Sequence, residues 1–125
     1  LIGWAQNKLG VDIERKDRNF HARGIANKFF SPEEKFFLKD MDDEKYRFNV
    51  LKYWVIKESA IKWQRGNISN DLLYWQVKDN FQLASNDLLD LNLKAYFYEF
   101  ELWSIGLTYQ KSIKEKIKKI IEKVV

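Results

Sequence analysis

The sequence contains no cysteine, which removes several kinds of chemistry at once. Disulfide bonds, thiolate zinc sites and a cysteine nucleophile are all excluded, and a reducing cytoplasm is the expected location. Long apolar runs are also missing. No stretch approaches the roughly 18 to 20 residues of a membrane span, and the start of the chain lacks the pattern of a signal peptide. We therefore expect a protein with no membrane partner.

The chain is about one domain long. Its 125 residues are 46% hydrophobic and 16% aromatic, which is ample for a packed core. Internal repeats and low-complexity linkers are absent, so residues 1–125 are expected to form a single domain. The first residue is Leu1, within an apolar segment, which suggests that an upstream segment is missing.

The net charge of +4 lies in the C-terminal segment 111–125, KSIKEKIKKIIEKVV. This segment holds six lysines and two glutamates, and the rest of the chain has 16 basic and 16 acidic groups. Its apolar residues recur at steps of three and four: Ile113, Ile117, Ile120, Ile121 and Val124. The pattern predicts a basic amphipathic helix docked by its apolar stripe, with contact to an acidic partner as the alternative. Because no basic stripe remains elsewhere, we expect no nucleic-acid partner.

The order of predicted elements is strands, helices, strands, helix. Two short strands, 1–6 and 8–14, open the chain around a turn at Asn7-Lys8. Four strand-like segments follow the helices, at 74–78, 81–84, 93–102 and 103–109. This order predicts an α+β fold, an antiparallel sheet with helices packed on one face.

The helical middle of the chain carries clear start and stop signals. Residues 21–30 are predicted as a first helix. The segment Ser31-Pro32-Glu33-Glu34 combines an N-cap, a first-turn proline and a glutamate at the third helical position, which announces a second helix. Asp42 or Asp43 caps a long helix that runs to about Arg65, and Gly66-Asn67 ends it.

Two acidic residues stand close together in the strand "GVDIE". Asp12 and Glu14 are two residues apart, so both carboxylates project from one face while Val11 and Ile13 point to the other. Like charges roughly 6 to 7 Å apart on a strand repel each other, and a hard cation such as magnesium relieves that repulsion. The ordinary alternative is a strand with a wet, polar face.

A second charged group lies in the predicted long helix, in "WVIKESAIK" at residues 54–62. Glu58 and Lys62 are four apart and share a helix face, while Lys57 lies about 100° round from Glu58. An ordinary surface pair of this kind is worth a few tenths of a kcal/mol. However, the flanking tryptophans and aliphatic residues are spread around the helix, so little of its surface can face solvent. This favours a partly enclosed site.

Taken together, "GVDIE", "ANKFFSPEE" and "WVIKESAIK" at their spacing resemble the 4'-phosphopantetheinyl transferases. The resemblance is to the long (Sfp-like) type that activates peptide synthetases, and it runs from Leu1 to about Tyr109. It implies transfer of phosphopantetheine from coenzyme A to a serine of an acyl or peptidyl carrier protein. The basic and apolar segment from Lys16 to Asn27 is implied to face that carrier.

The resemblance also implies roles for individual residues. Asp12, Glu14 and Glu58 are expected to bind Mg²⁺, and Lys57 and Lys62 to bind the phosphates of coenzyme A. Glu58 is the candidate general base, and Lys62 is expected to stabilise charge on the leaving side.

The sequence departs from the family pattern in two respects. Arg65 and Asn67 stand where the family usually has two glycines after the helix motif. Long-type enzymes also consist of two similar halves with the coenzyme between them, and this chain resembles only the C-terminal half. We therefore expect either a missing N-terminal lobe or a homo-oligomer, because an isolated half leaves an apolar face exposed.

A non-catalytic protein- or RNA-binding module is the competing interpretation. Its main support is the high aromatic content together with the lysine-rich C-terminal segment. Most aromatic residues follow strand and helix periodicities that predict core positions, however, which favours the transferase.

Overall fold

In the computed structural model, residues 9–110, 121 and 123 are described. The described chain forms a five-stranded antiparallel sheet with helices on one face, so the predicted α+β class is confirmed. The strands are β1 (Leu9–Arg15), β2 (Gln76–Lys78), β3 (Leu83–Asn86), β4 (Leu91–Phe100) and β5 (Trp103–Tyr109). Their order across the sheet is β1-β5-β4-β3-β2. The predicted strand 1–6 and most of the predicted C-terminal helix 111–125 lie outside the described residues.

Four α-helices separate β1 from β2. They are α1 (Ala22–Phe29), α2 (Pro32–Leu38), α3 (Asp43–Gln64) and α4 (Ile68–Asp71), and a single 3₁₀ turn, Leu72–Tyr74, follows them. Within the described residues, no helix is both long and apolar enough to cross a lipid bilayer.

Local capping explains where α2 and α3 begin. The Ser31 hydroxyl accepts a hydrogen bond from the Glu34 amide at 3.2 Å, and the Glu34 carboxylate accepts one from the Ser31 amide at 2.9 Å. This is the capping box that the sequence predicts. Asp42 caps α3 by accepting from the Lys45 amide at 2.9 Å. The helix ends at Arg65, whose φ of 61° and ψ of 38° are left-handed, so both predicted ends of the long helix are confirmed.

Two predicted strands begin later in the structure than the sequence indicated. Residues 79–81 all have positive φ, from 52° to 67°, so they form the turn that joins β2 to β3. The predicted strand 81–84 therefore starts two residues later. The predicted strand 74–78 also begins two residues later, at Gln76, because residues 68–74 form a short helix and a 3₁₀ turn.

Helix α3 lies directly on the backbones of β1 and β5. A Cβ atom added at Gly10 would fall on the carbonyl oxygen of Ser59, and one added at Gly106 would fall on that of Val55. Only glycine permits contact this close at both strands. The two glycines therefore set the distance between the sheet and the middle of α3.

The face of the sheet opposite α3 is apolar and exposed. β1, β5 and β4 pair in register there, with Val11 opposite Leu107 and Leu107 opposite Tyr96. The exposed large residues on this face are Leu9, Val11, Ile13, Tyr96, Tyr98, Phe100 and Trp103. The prediction that most aromatic residues are in the core is therefore wrong for this group, because strand alternation does not reveal which face is covered.

We expect Gly106→Ala to destabilise the protein by about 1–3 kcal/mol, because the new methyl group meets backbone atoms of α3 that cannot move separately. Urea unfolding followed by circular dichroism measures the loss. Gly24→Ala is the matched control, since there the methyl group meets only the His21 side chain and alanine favours the helix. Equal stability of Gly106→Ala and the wild type would contradict the close approach.

Candidate active site

Asp12 and Glu14 project from β1 towards α3. Asp12 pairs with Gly106 of β5 and is only 3% exposed, and Glu14 pairs with Ser104. Val11 and Ile13 point the other way and are 40% and 53% exposed. The predicted alternation is therefore present, but the acidic face is the covered one. This is the reverse of a strand with a wet, polar face.

Glu58 completes a cluster of three carboxylates. One carboxylate oxygen from each of Asp12, Glu14 and Glu58 lies within 4.8 Å of the others. Glu58 is in the stretch of α3 that rests on the glycine strands, which brings its side chain over β1. Residues 46 positions apart in the sequence thus form one acidic site, as the resemblance implies.

Burial and mutual repulsion change the acidity of this cluster. Burial, a hydrogen bond with Asp12 and the charges of Asp12 and Glu14 raise the pKa of Glu58 to about 8, while Lys62 opposes the rise. The hydrogen bond with Asp12 is the main cause that raises the pKa of Lys62. Without bound metal, these effects therefore favour the protonated form of Glu58.

Two basic side chains neutralise the other carboxylates. Lys62 Nζ lies 2.8 Å from Asp12 Oδ1, and Arg18 Nη1 lies 2.8 Å from Glu14 Oε1. Asp12 Oδ2 is buried and has no hydrogen-bond partner among the described residues. Arg18 was not predicted to be part of this site, although it stands only four residues after Glu14 in the sequence. The turn after β1 decides that the two side chains meet.

Lys57 lies in a different environment from Lys62. Its ammonium is fully buried and bonds Glu34 Oε1 at 2.6 Å, with the ring of Phe30 4.5 Å away. Glu34 Oε2 also accepts a hydrogen bond from the Val77 amide at 2.8 Å. The structure thus does not bring Lys57 to the carboxylate cluster. The 100° turn between neighbouring helix residues directs it into the core instead.

We expect Lys57→Met to lower the free energy of unfolding by roughly 3 kcal/mol, because it leaves the Glu34 carboxylate buried without its cation. Mg²⁺ affinity, measured by calorimetry, should be unchanged in the folded variant. Lys45→Met, on the exposed start of the same helix, is the control and should unfold like the wild type. Wild-type stability of Lys57→Met would rule out a structural role for the buried pair.

The pKa of Glu58 predicts how stability depends on pH in metal-free protein. Its pKa rises from 4.5 to about 8 on folding, so between these values the native state binds more protons than the unfolded state. Stability must therefore fall as pH rises through this window, by a few kcal/mol in total. Urea unfolding at pH 5 and pH 8 with a chelator should show the fall. A variant Glu58→Gln should show a clearly smaller one, and an equal fall in both proteins would contradict the assignment.

Residues 8–114 match the model of the 4'-phosphopantetheinyl transferase superfamily. The match covers most of the chain, and the chain therefore belongs to the 4'-phosphopantetheinyl transferase superfamily. No curated protein and no solved structure matches it. Membership of the family is thus confirmed, and it supports phosphopantetheine transfer as the general class of reaction. The long type and the C-terminal half remain predictions.

Proposed function

We propose that this protein transfers 4'-phosphopantetheine from coenzyme A to a serine of an acyl or peptidyl carrier protein. The observation that carries the proposal is the convergence of Asp12, Glu14 and Glu58 in a chain that belongs to the transferase superfamily. The serine oxygen forms a bond to phosphorus while the bond to the leaving phosphate breaks. Adenosine 3',5'-bisphosphate is released.

The donor atoms of the cluster suit Mg²⁺. Carboxylate oxygens are the ligands that this hard cation prefers, and Asp12 Oδ2 is buried with no protein partner among the described residues. Asp12, Glu14 and Glu58 would hold the ion, which when bound supplies charge neutralisation for the pyrophosphate of coenzyme A.

Side chains of α3 supply the base and the phosphate-binding group. Glu58, directly or through a water, accepts the proton of the serine hydroxyl. The Lys62 side chain is half exposed, so its ammonium can reach a phosphate and stabilise the charge that develops on the leaving group. Lys57 is buried with Glu34, and we therefore assign phosphate binding to Lys62 rather than to Lys57.

The segment after β1 is the proposed docking site for the carrier. Phe20 and Ile25 line a small apolar cavity together with Leu51, Trp54 and Arg18. Basic groups around an apolar anchor suit a partner that is acidic near its modified serine.

The exposed apolar face of the sheet supports a second proposal about assembly. Seven large apolar residues share that face in the described part of the chain, and monomers rarely leave such a patch uncovered. We infer that a second lobe, on another copy or on an N-terminal segment, packs there and helps to enclose coenzyme A.

Glu58→Gln should lower the transfer rate at least 100-fold, because it removes both a metal ligand and the base. The assay follows the mass increase of a carrier protein on addition of phosphopantetheine, with coenzyme A and Mg²⁺ present. Glu44→Gln, on the exposed first turn of the same helix, should keep the wild-type rate.

Light scattering on the same samples tests the assembly. A fully active monomer would refute the need for a second lobe, and full activity of Glu58→Gln would remove Glu58 from the mechanism. If neither Mg²⁺ nor coenzyme A raises the melting temperature of the wild type, the competing binding-module interpretation is favoured.

A further inference from the structure

Arg18 lies between the carboxylate cluster and the apolar cavity that follows β1. Its guanidinium is 2.8 Å from Glu14 and 5.8 Å from the ring centre of Trp54, and its side chain is 44% exposed. The same side chain lines the cavity with Phe20, Ile25 and Trp54. Arg18 is therefore in contact with two sites to which the proposed function gives different ligands.

The backbone that carries Arg18 is fixed. Arg47 of α3 donates hydrogen bonds to the carbonyl oxygens of Lys16, at 2.7 Å, and of Arg18 itself. The Arg18 amide also bonds the carbonyl oxygen of Arg15 at 3.2 Å. The long Arg18 side chain can therefore turn about its Cα without breaking these backbone hydrogen bonds.

A divalent cation held by the cluster would lie beside the guanidinium of Arg18, because both would bind Glu14. A bound divalent cation adds two positive charges to the cluster of three carboxylates and so weakens the attraction of the cluster for the guanidinium. Since the Arg18 side chain is nearly half exposed, water can solvate it as soon as it leaves. A surface pair of this kind contributes little to stability, so releasing it costs little.

The small cavity beside Arg18 is edged by apolar residues, a surface that an acidic partner with an apolar side chain can cover. Its lining is aromatic and aliphatic apart from Arg18, and the indole N–H of Trp54 is buried without a hydrogen-bond acceptor among the described residues. A carboxylate on the partner would pair with the released guanidinium, while an apolar group would pack on the partly exposed Phe20 and Ile25. The cavity itself, about 10 Å³, has room for no more than a water molecule.

We propose that Arg18 is a metal-gated docking residue. It neutralises Glu14 while the metal site is empty, and binding of a divalent cation releases it to an acidic carrier protein at the adjacent cavity. Metal loading and carrier binding are then coupled, each strengthening the other. This inference rests on the proposed function, and the experiments below separate its failure from the failure of that function.

The first experiment uses Mg²⁺ alone. Calorimetry measures Mg²⁺ binding, and NMR of the arginine side chains follows the guanidinium signals and their hydrogen exchange. We expect Arg18 to lose its protection from exchange as Mg²⁺ saturates the site. Arg15 is the matched control within the same segment, because it makes an equally short pair with Asp17, outside the cluster, and should not respond. Bound Mg²⁺ with an unchanged Arg18 overturns the gate, and no Mg²⁺ binding rejects the metal site itself.

The second experiment measures the affinity of a purified acyl carrier protein whose acceptor serine is replaced by alanine, without coenzyme A. Mg²⁺ should tighten binding to the wild type at least about fivefold, the lower end of typical coupling. Arg18→Gln should show less than about a twofold effect of Mg²⁺. Arg23→Gln is the matched control, since Arg23 pairs with Asp43 at 2.9 Å, and it should keep the full Mg²⁺ effect even if binding weakens.

Glu14→Gln provides a test that needs no metal. Because this change removes the charge that holds Arg18, the variant should bind the carrier without Mg²⁺ about as tightly as the wild type does with it. A Glu14→Gln variant that binds like the metal-free wild type, or an Arg18→Gln variant that responds normally to Mg²⁺, would refute the gate. A carrier that binds none of these proteins under any condition would instead reject the proposed partner.

Discussion

The contact of α3 with the backbones of β1 and β5 is the constraint on which the acidic site depends. Gly10 and Gly106 leave room for the carbonyl oxygens of α3, and this places Glu58 within reach of Asp12 and Glu14. A side chain at either glycine would lift the helix from the sheet. The glycines are therefore part of the site, although they offer no functional group.

This close contact has an electrostatic cost that shapes the rest of the site. Two unit charges 4.8 Å apart repel by about 3 kcal/mol at an effective dielectric constant of about 20. Three such pairs would consume most of the stability of a small domain, which is about 5–15 kcal/mol. The protein avoids this in two ways. The surroundings of Glu58 favour its protonated form, and Arg18 and Lys62 pair with the other two carboxylates. A divalent cation bound by the three carboxylates would take the place of the proton and of the two basic side chains.

Two lysines next to the same glutamate have separate tasks because a helix turns by about 100° per residue. Lys62 lies above Glu58 on the exposed side and bonds Asp12. Lys57 points inward and bonds Glu34, which also closes the capping box of α2 and accepts from β2. The buried pair thus connects α2, α3 and β2.

Local chemistry in the sequence was enough to predict much of the fold. The capping box at Ser31, the cap at Asp42 and the end of α3 at Arg65 all depend on neighbouring residues, and all were predicted. The family could also be identified from motifs of a few residues each. In these cases the interactions join residues that lie within one or two helical turns of each other. A short stretch of sequence is therefore enough to predict them.

Contacts between distant parts of the chain could be determined only from the tertiary structure. Alternation in β1 separated Asp12 from Val11 but could not show that α3 covers the acidic face and leaves the apolar one exposed. Helical spacing placed Lys57 away from Lys62 but could not show that Glu34 binds it in the core. The pairing of Arg18 with Glu14 depended on the turn after β1 and on Arg47. The sequence by itself determined which residues could form the site, and packing decided which of them meet, because burial and charge pairing depend on contacts between elements far apart in the chain.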